Sequence, residues 1–142
     1  MKDRQKVARI VLVKERQRDV RRACLARAAR ELQQAQRQAA RLVAQAERLE
    51  RELASVGTTT GVELQHRLAI IERTREAIAR ANEVVQARRT IHAQRLSEVS
   101  ETAREIAALD RVRERLRQEH DRRLARHEQA QLDEHAHRER LA

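Results

Sequence analysis

Phenylalanine, tryptophan, tyrosine and proline are all missing from this chain, and glycine and cysteine are nearly so. Aromatic side chains supply much of the buried area of compact cores, so their absence excludes a wide globular core. Without proline nothing forces a long helix to break, and Gly57 and Gly61 are the only glycines. Cys24 stands alone, which excludes a disulfide framework and points to a reducing compartment. It falls on an apolar stripe, so a small buried thiol is expected. No apolar run approaches the ~20 residues needed to cross a bilayer. The opening MKDRQKVARIVLVKERQ has a short apolar patch but no small-residue cleavage site, and is not read as a signal peptide. A cytoplasmic protein fits these absences.

What is present is periodic. From Leu25 the apolar residues Ala28, Leu32, Ala35, Ala39, Leu42, Ala46, Leu49, Leu53 and Val56 follow in alternating steps of three and four. Between them stand mostly Arg, Glu, Gln and Ala. A stripe of period 3.5 held this long is the seam of a coiled coil. Charged residues make up 38% of the 142, a level at which disorder competes, but the sustained heptads and strong helix formers favour helix.

The fold class expected is all-α: two long helices forming an antiparallel coiled-coil hairpin, the second overhanging the first, as a single domain over 1–142. Helix one spans about 3–56, a turn 57–61, and helix two about 62–140. Gly57 is expected to end helix one in a left-handed conformation. Thr58, Thr59 and Thr60 are candidate caps for helix two, with Thr60 and Glu63 spaced as a capping box. Folding the chain at Thr59 sets residue i opposite roughly 118 − i, so Arg4 meets Glu114. At ~1.5 Å per residue helix one would be roughly 80 Å long and helix two roughly 120 Å. The last 25 or so residues then overhang.

The early seam of helix one is read as Ile10, Val13, Gln17, Val20 and Cys24, joining the later heptads through Ala28 and Leu32 by successive steps of four. Such a stutter locally unwinds the supercoil. The seam of helix two is read as Leu64, Leu68, Ile71, Arg75, Ile78, Asn82, Val85, Arg89, His92, Leu96, Val99, Ala103 and Ile106, continuing through Leu109, Val112, Leu116, His120 and Leu124.

No catalytic constellation is present: the chain has no glycine-rich phosphate loop, GxSxG, HExxH or CxxC. Most carboxylates have a Lys or Arg three or four positions away, as on a solvated helix face. No enzyme activity, cofactor or metal is expected. His120 and His127 share a face but stand about 10 Å apart along the axis, too far for one ion, and His135 and His137 point to different faces.

Net charge is +10 and unevenly spread. Residues 1–30 hold eleven Lys/Arg against three Asp/Glu, whereas 62–142 hold seventeen against fifteen. Six of the bases, Arg9, Lys14, Arg16, Arg18, Arg21 and Arg22, cluster near the start. A basic end beside a balanced shaft suggests an acidic partner or phosphate. Nucleic acid is the weaker reading, since no recognised module and no base-stacking aromatic exists. A generic coiled-coil scaffold or oligomerisation protein is the alternative from another class.

The chain resembles the FliJ/YscO family, the central stalk proteins of the type III export apparatus of bacterial flagella and injectisomes. The match is best in GVELQHRLAIIERTREAI (Gly61 to Ile78) and in LDRVRERLRQEHDRRLARHEQAQLDEHAHR (Leu109 to Arg138), and looser in VARIVLVKERQRDVRRA. The resemblance implies a non-enzymatic stalk whose joined helix ends enter the pore of a hexameric export ATPase. Its opposite tip would reach the cytosolic ring of the export gate, and export chaperones would be further partners. ATPase contact then falls to Arg9, Lys14, Arg16, Arg18, Arg21, Arg22, Leu132, Asp133 and Glu134. Gate contact falls to Leu49, Leu53, Leu64, Leu68, Ile70 and Ile71, although family members carry aromatics near the tip and this chain has none. The implied location is cytoplasmic, peripheral at the inner face of the bacterial cytoplasmic membrane, without membrane insertion.

Overall fold

The computed structural model describes residues 2–57 and 60–142. Two helices account for almost all of them: α1, Lys2–Ser55, and α2, Gly61–Leu141. The helices pack against one another as an antiparallel hairpin. Their contacts divide into two units, Met1–Val20 with Ser100–Ala142 and Arg21–Val99.

In the second unit Glu31 meets Arg88 at 2.8 Å and Glu50 meets Arg75 at 2.7 Å, so α2 descends as α1 ascends. Arg21 Nη1 donates to the Glu98 carbonyl oxygen at 3.1 Å. Its buried apolar side chains are Ala28, Ala39 and Ala46 from α1 and Ile71 and Val85 from α2. Small alanines from α1 and branched residues from α2 make up this core, which fills a narrow seam without bulky rings. In the first unit Lys14 pairs with Glu105, and the side chains most removed from water are Val11 and Thr102. For Lys14, Arg21 and Glu31 the partner of residue i is 119 − i, one position from the expected register. Glu50 reaches diagonally to Arg75.

The heptad frame differs from expectation in two places. In α1 the clean heptads extend backwards in unbroken phase through Arg21, Arg18, Lys14, Val11, Val7 and Arg4, all buried or half-buried. Ile10, Val13, Val20 and Cys24 are exposed instead, and there is no stutter. A frame set by the long alanine–leucine seam continues into a stiff helix more readily than it changes face. The long stems of Lys14 and Arg21 let their heads reach Glu105 and the Glu98 carbonyl from seam positions. The thiol of Cys24 therefore stands in solvent, not in the seam.

In α2 alternate seam positions fall one residue early: Thr74, Ala81, Arg88 and Thr102 turn inward where Arg75, Asn82, Arg89 and Ala103 were expected. Leu64, Leu68, Leu96, Val112 and Leu124 are exposed. Thr74 suits an interior position because its hydroxyl donates to the Ile70 carbonyl at 2.8 Å.

At the turn, Ser55 Oγ donates to the Glu52 carbonyl at 2.9 Å, serving one of the carbonyls that a helix end leaves open. Gly57 does not take a left-handed φ; no described glycine does. Thr60 caps α2, its Oγ1 accepting from Glu63 N at 3.2 Å, while its carbonyl accepts from Leu64 N at 3.0 Å. Thr58 and Thr59 lie outside the described residues.

Past His120 every residue of α2 is exposed. Local pairs line this stretch: Gln129 with Asp133, Glu134 with Arg138, and His135 with Glu139.

Candidate partner-binding surfaces

The basic residues near the start of α1 separate into two faces because the heptad frame runs straight through them. Lys14, Arg18 and Arg21 lie on the side facing α2 and are half-buried. Lys14 Nζ sits 2.5 Å from Glu105 Oε2, and Arg18 touches Asp19 at 3.4 Å. Lys14, and Arg21 through the Glu98 carbonyl, are occupied in contacts between the helices, whereas Arg18 pairs within α1. Arg9, Arg16 and Arg22 are exposed and point away from the seam. Their charge is available to a partner at full strength, subject to screening over about 8–10 Å at ordinary salt.

Leu132, Asp133 and Glu134 are exposed on the bare part of α2. In the first unit's register they stand 22 residues beyond the level of Arg9, roughly 33 Å along the helix. The fold does not bring these two groups together. Arg21 and Arg22 belong to the second unit, the other seven candidates to the first.

The tip residues also divide. Leu49, Leu53 and Ile70 are half-buried and Ile71 is buried. Leu49, Ile70 and Ile71 line a shallow cleft with Glu52 and Arg67. Leu64 and Leu68 are exposed, and so is Val62, at 77% the most exposed large apolar side chain of the chain's described residues. Sequence reasoning left Val62 out. Its signal was available, since a branched apolar residue in the first turn of α2 lies ahead of the seam.

Another group was assigned to the wrong face. Ile10, Val13 and Val20 form an apolar surface on the outside of α1 in the first unit, with Val13 and Val20 each 64% exposed. Reading these aliphatics as seam hid it.

Among the described residues no group of three or more His, Cys, Asp or Glu could hold a metal ion. No helix is long and apolar enough to cross a membrane. The chemistry these surfaces can perform is recognition: exposed bases, exposed aliphatic stripes and a helix face without cover.

Comparison with known families matches residues 4–140 to the family described as flagellar FliJ protein. Neither the comparison with curated proteins nor that with solved structures returns a match. The family match runs over α1, the turn and all but the end of α2, and on that extent the chain belongs to the FliJ family.

Proposed function

We propose that this chain is the central stalk of a bacterial type III protein export apparatus, a non-enzymatic coupling protein of the cytoplasm held at the inner membrane face by its partners. The joined helix ends enter the hexameric export ATPase, and the turn end addresses the cytosolic ring of the export gate. The single observation that carries this reading is the family match across 4–140, which includes both helices and most of the uncovered stretch of α2. The exposure of Arg9, Arg16 and Arg22 supports contact with acidic pore loops at that end. Leu132, Asp133 and Glu134 on bare α2 supply a second ATPase contact, and exposed Val62, Leu64 and Leu68 supply the gate contact. Export chaperones are further partners on this reading.

The test is a pull-down with the export ATPase of the same organism, coupled to its hydrolysis rate. Binding with stimulated hydrolysis, lost when Arg9, Arg16 and Arg22 are reversed to Glu while helix content is kept, supports the stalk. No binding and no change in rate removes it.

A further inference from the structure

The outward face of α1 in the first unit carries a pattern that the hairpin does not use. Lys6, Val13 and Val20 are spaced by sevens, and so are Lys2, Arg9 and Arg16 beside them. Ile10 and Gln17 form the neighbouring column, also seven apart. On an α-helix such columns run nearly parallel to the axis when the helix is wound in a left-handed supercoil. The face therefore reads as a second coiled-coil seam: Ile10, Val13 and Val20 at its centre, a ladder of bases along one edge. Exposure is 40% for Ile10 and 64% for both valines. On the other edge lie Lys14 and Arg21, whose heads turn towards α2.

Charge decides what fits. On these columns the exposed ionisable groups are Lys2, Lys6, Arg9 and Arg16 against Asp3 alone. A second copy laid antiparallel on the same stripe would set base ladder against base ladder, and one laid parallel would set the ladder against the edge that carries Lys14 and Arg21. Like charges across a coiled-coil edge select against that pairing. A membrane surface would take the bases but would leave a stripe this narrow mostly unused, since interfacial helices bury a broad apolar face.

We propose that this face docks a helix of another protein, with an aliphatic seam flanked by acidic residues, making a three-helix coiled coil over the first unit. Aliphatic knobs from the incoming helix pack between Ile10, Val13 and Val20, and its carboxylates meet Lys2, Arg9 and Arg16 along the edge. The surface is defined by spacing, exposure and charge, and stands whether or not the chain acts in export.

The experiment uses the full chain and two synthetic helical peptides. Both have leucine at the seam positions of every heptad; one carries Glu at the flanking positions, its twin Lys. Binding is followed by fluorescence anisotropy at low and high salt. The Glu-flanked peptide is expected to bind, and its affinity to fall with salt. Val13→Glu or Val20→Glu should weaken binding by about tenfold or more, as for loss of a central aliphatic contact. Those positions are exposed, so circular dichroism should be unchanged. Arg9→Glu with Arg16→Glu should invert the preference towards the Lys-flanked twin, while Val84→Glu, exposed in the second unit, should change nothing. Absence of binding, equal binding of the twins, or indifference to the Val13 and Val20 variants would overturn the proposal. So would self-association of the chain that Val13→Glu abolishes, since the occupant would then be a second copy.

Discussion

Lys14 Nζ lies 2.5 Å from Glu105 Oε2 across ninety-one residues of sequence, with both side chains about two-thirds removed from water. This pair marks the register of the first unit, setting residue 14 level with residue 105. A partly exposed ion pair contributes roughly 0.2–1 kcal/mol. Reversing one partner, Lys14→Glu, should cost about that much plus the repulsion created. Lys14→Glu with Glu105→Lys should recover most of the loss, and a double-mutant cycle by thermal unfolding reads the coupling.

The basic cluster should separate by face. Lys14→Glu and Arg21→Glu should lower the melting temperature, because both heads serve contacts with α2. Arg9→Glu, Arg16→Glu and Arg22→Glu should leave melting unchanged within about 0.5 kcal/mol, as surface changes do. They should weaken ATPase binding in a pull-down. If the two sets act alike in both measurements, the division between seam and surface is wrong.

Burial along the seam predicts a contrast in truncation. Val11 is 2% exposed, Leu132 63%. Val11→Ala should destabilise by roughly 1–3 kcal/mol, a large fraction of what so thin a core supplies. Leu132→Ala should have no measurable effect. Chemical denaturation followed at 222 nm would compare them.

The turn predicts opposite signs for neighbouring residues. Thr60→Ala removes the oxygen that accepts from Glu63 N and should cost about 1 kcal/mol, with faster amide exchange in the first turn of α2. Gly61 is the first residue of α2, has no positive φ, and a Cβ there meets nothing within 4 Å. Gly61→Ala should therefore stabilise the hairpin by about 0.5 kcal/mol, through a less free unfolded chain.

Much of this architecture was legible because it is local and repetitive. The heptads from Leu25 to Val56 imply a helix and a partner, and the two glycines leave one place for the chain to reverse. Register followed to within a residue from that turn alone. Two things were not legible, for related reasons. In α1 the eye follows aliphatic residues, so Ile10, Val13 and Val20 were assigned inward. The geometry follows the frame, and inward positions went to Lys14, Arg18 and Arg21. In α2 Arg75 fell on the expected seam where Thr74 turns inward. A hydroxyl that bonds its own preceding turn lets threonine sit inside at little cost, and pattern alone carries no sign of that bond. The basic cluster was visible as composition; which of its members face outward depended on the same frame.

The uncovered stretch of α2 from Asp121 onward has a consequence for how the protein responds to its surroundings. Nothing from α1 packs on it, and its side-chain pairs are four residues apart along α2. A helix held only by such pairs melts gradually and one turn at a time, with an equilibrium sensitive to salt and temperature. Thermal unfolding should then show a shallow, salt-dependent loss of ellipticity ahead of the cooperative step. In that pre-transition the last turns of α2 act as a fringe whose order is graded by ionic conditions, while the paired helices beneath it stay folded.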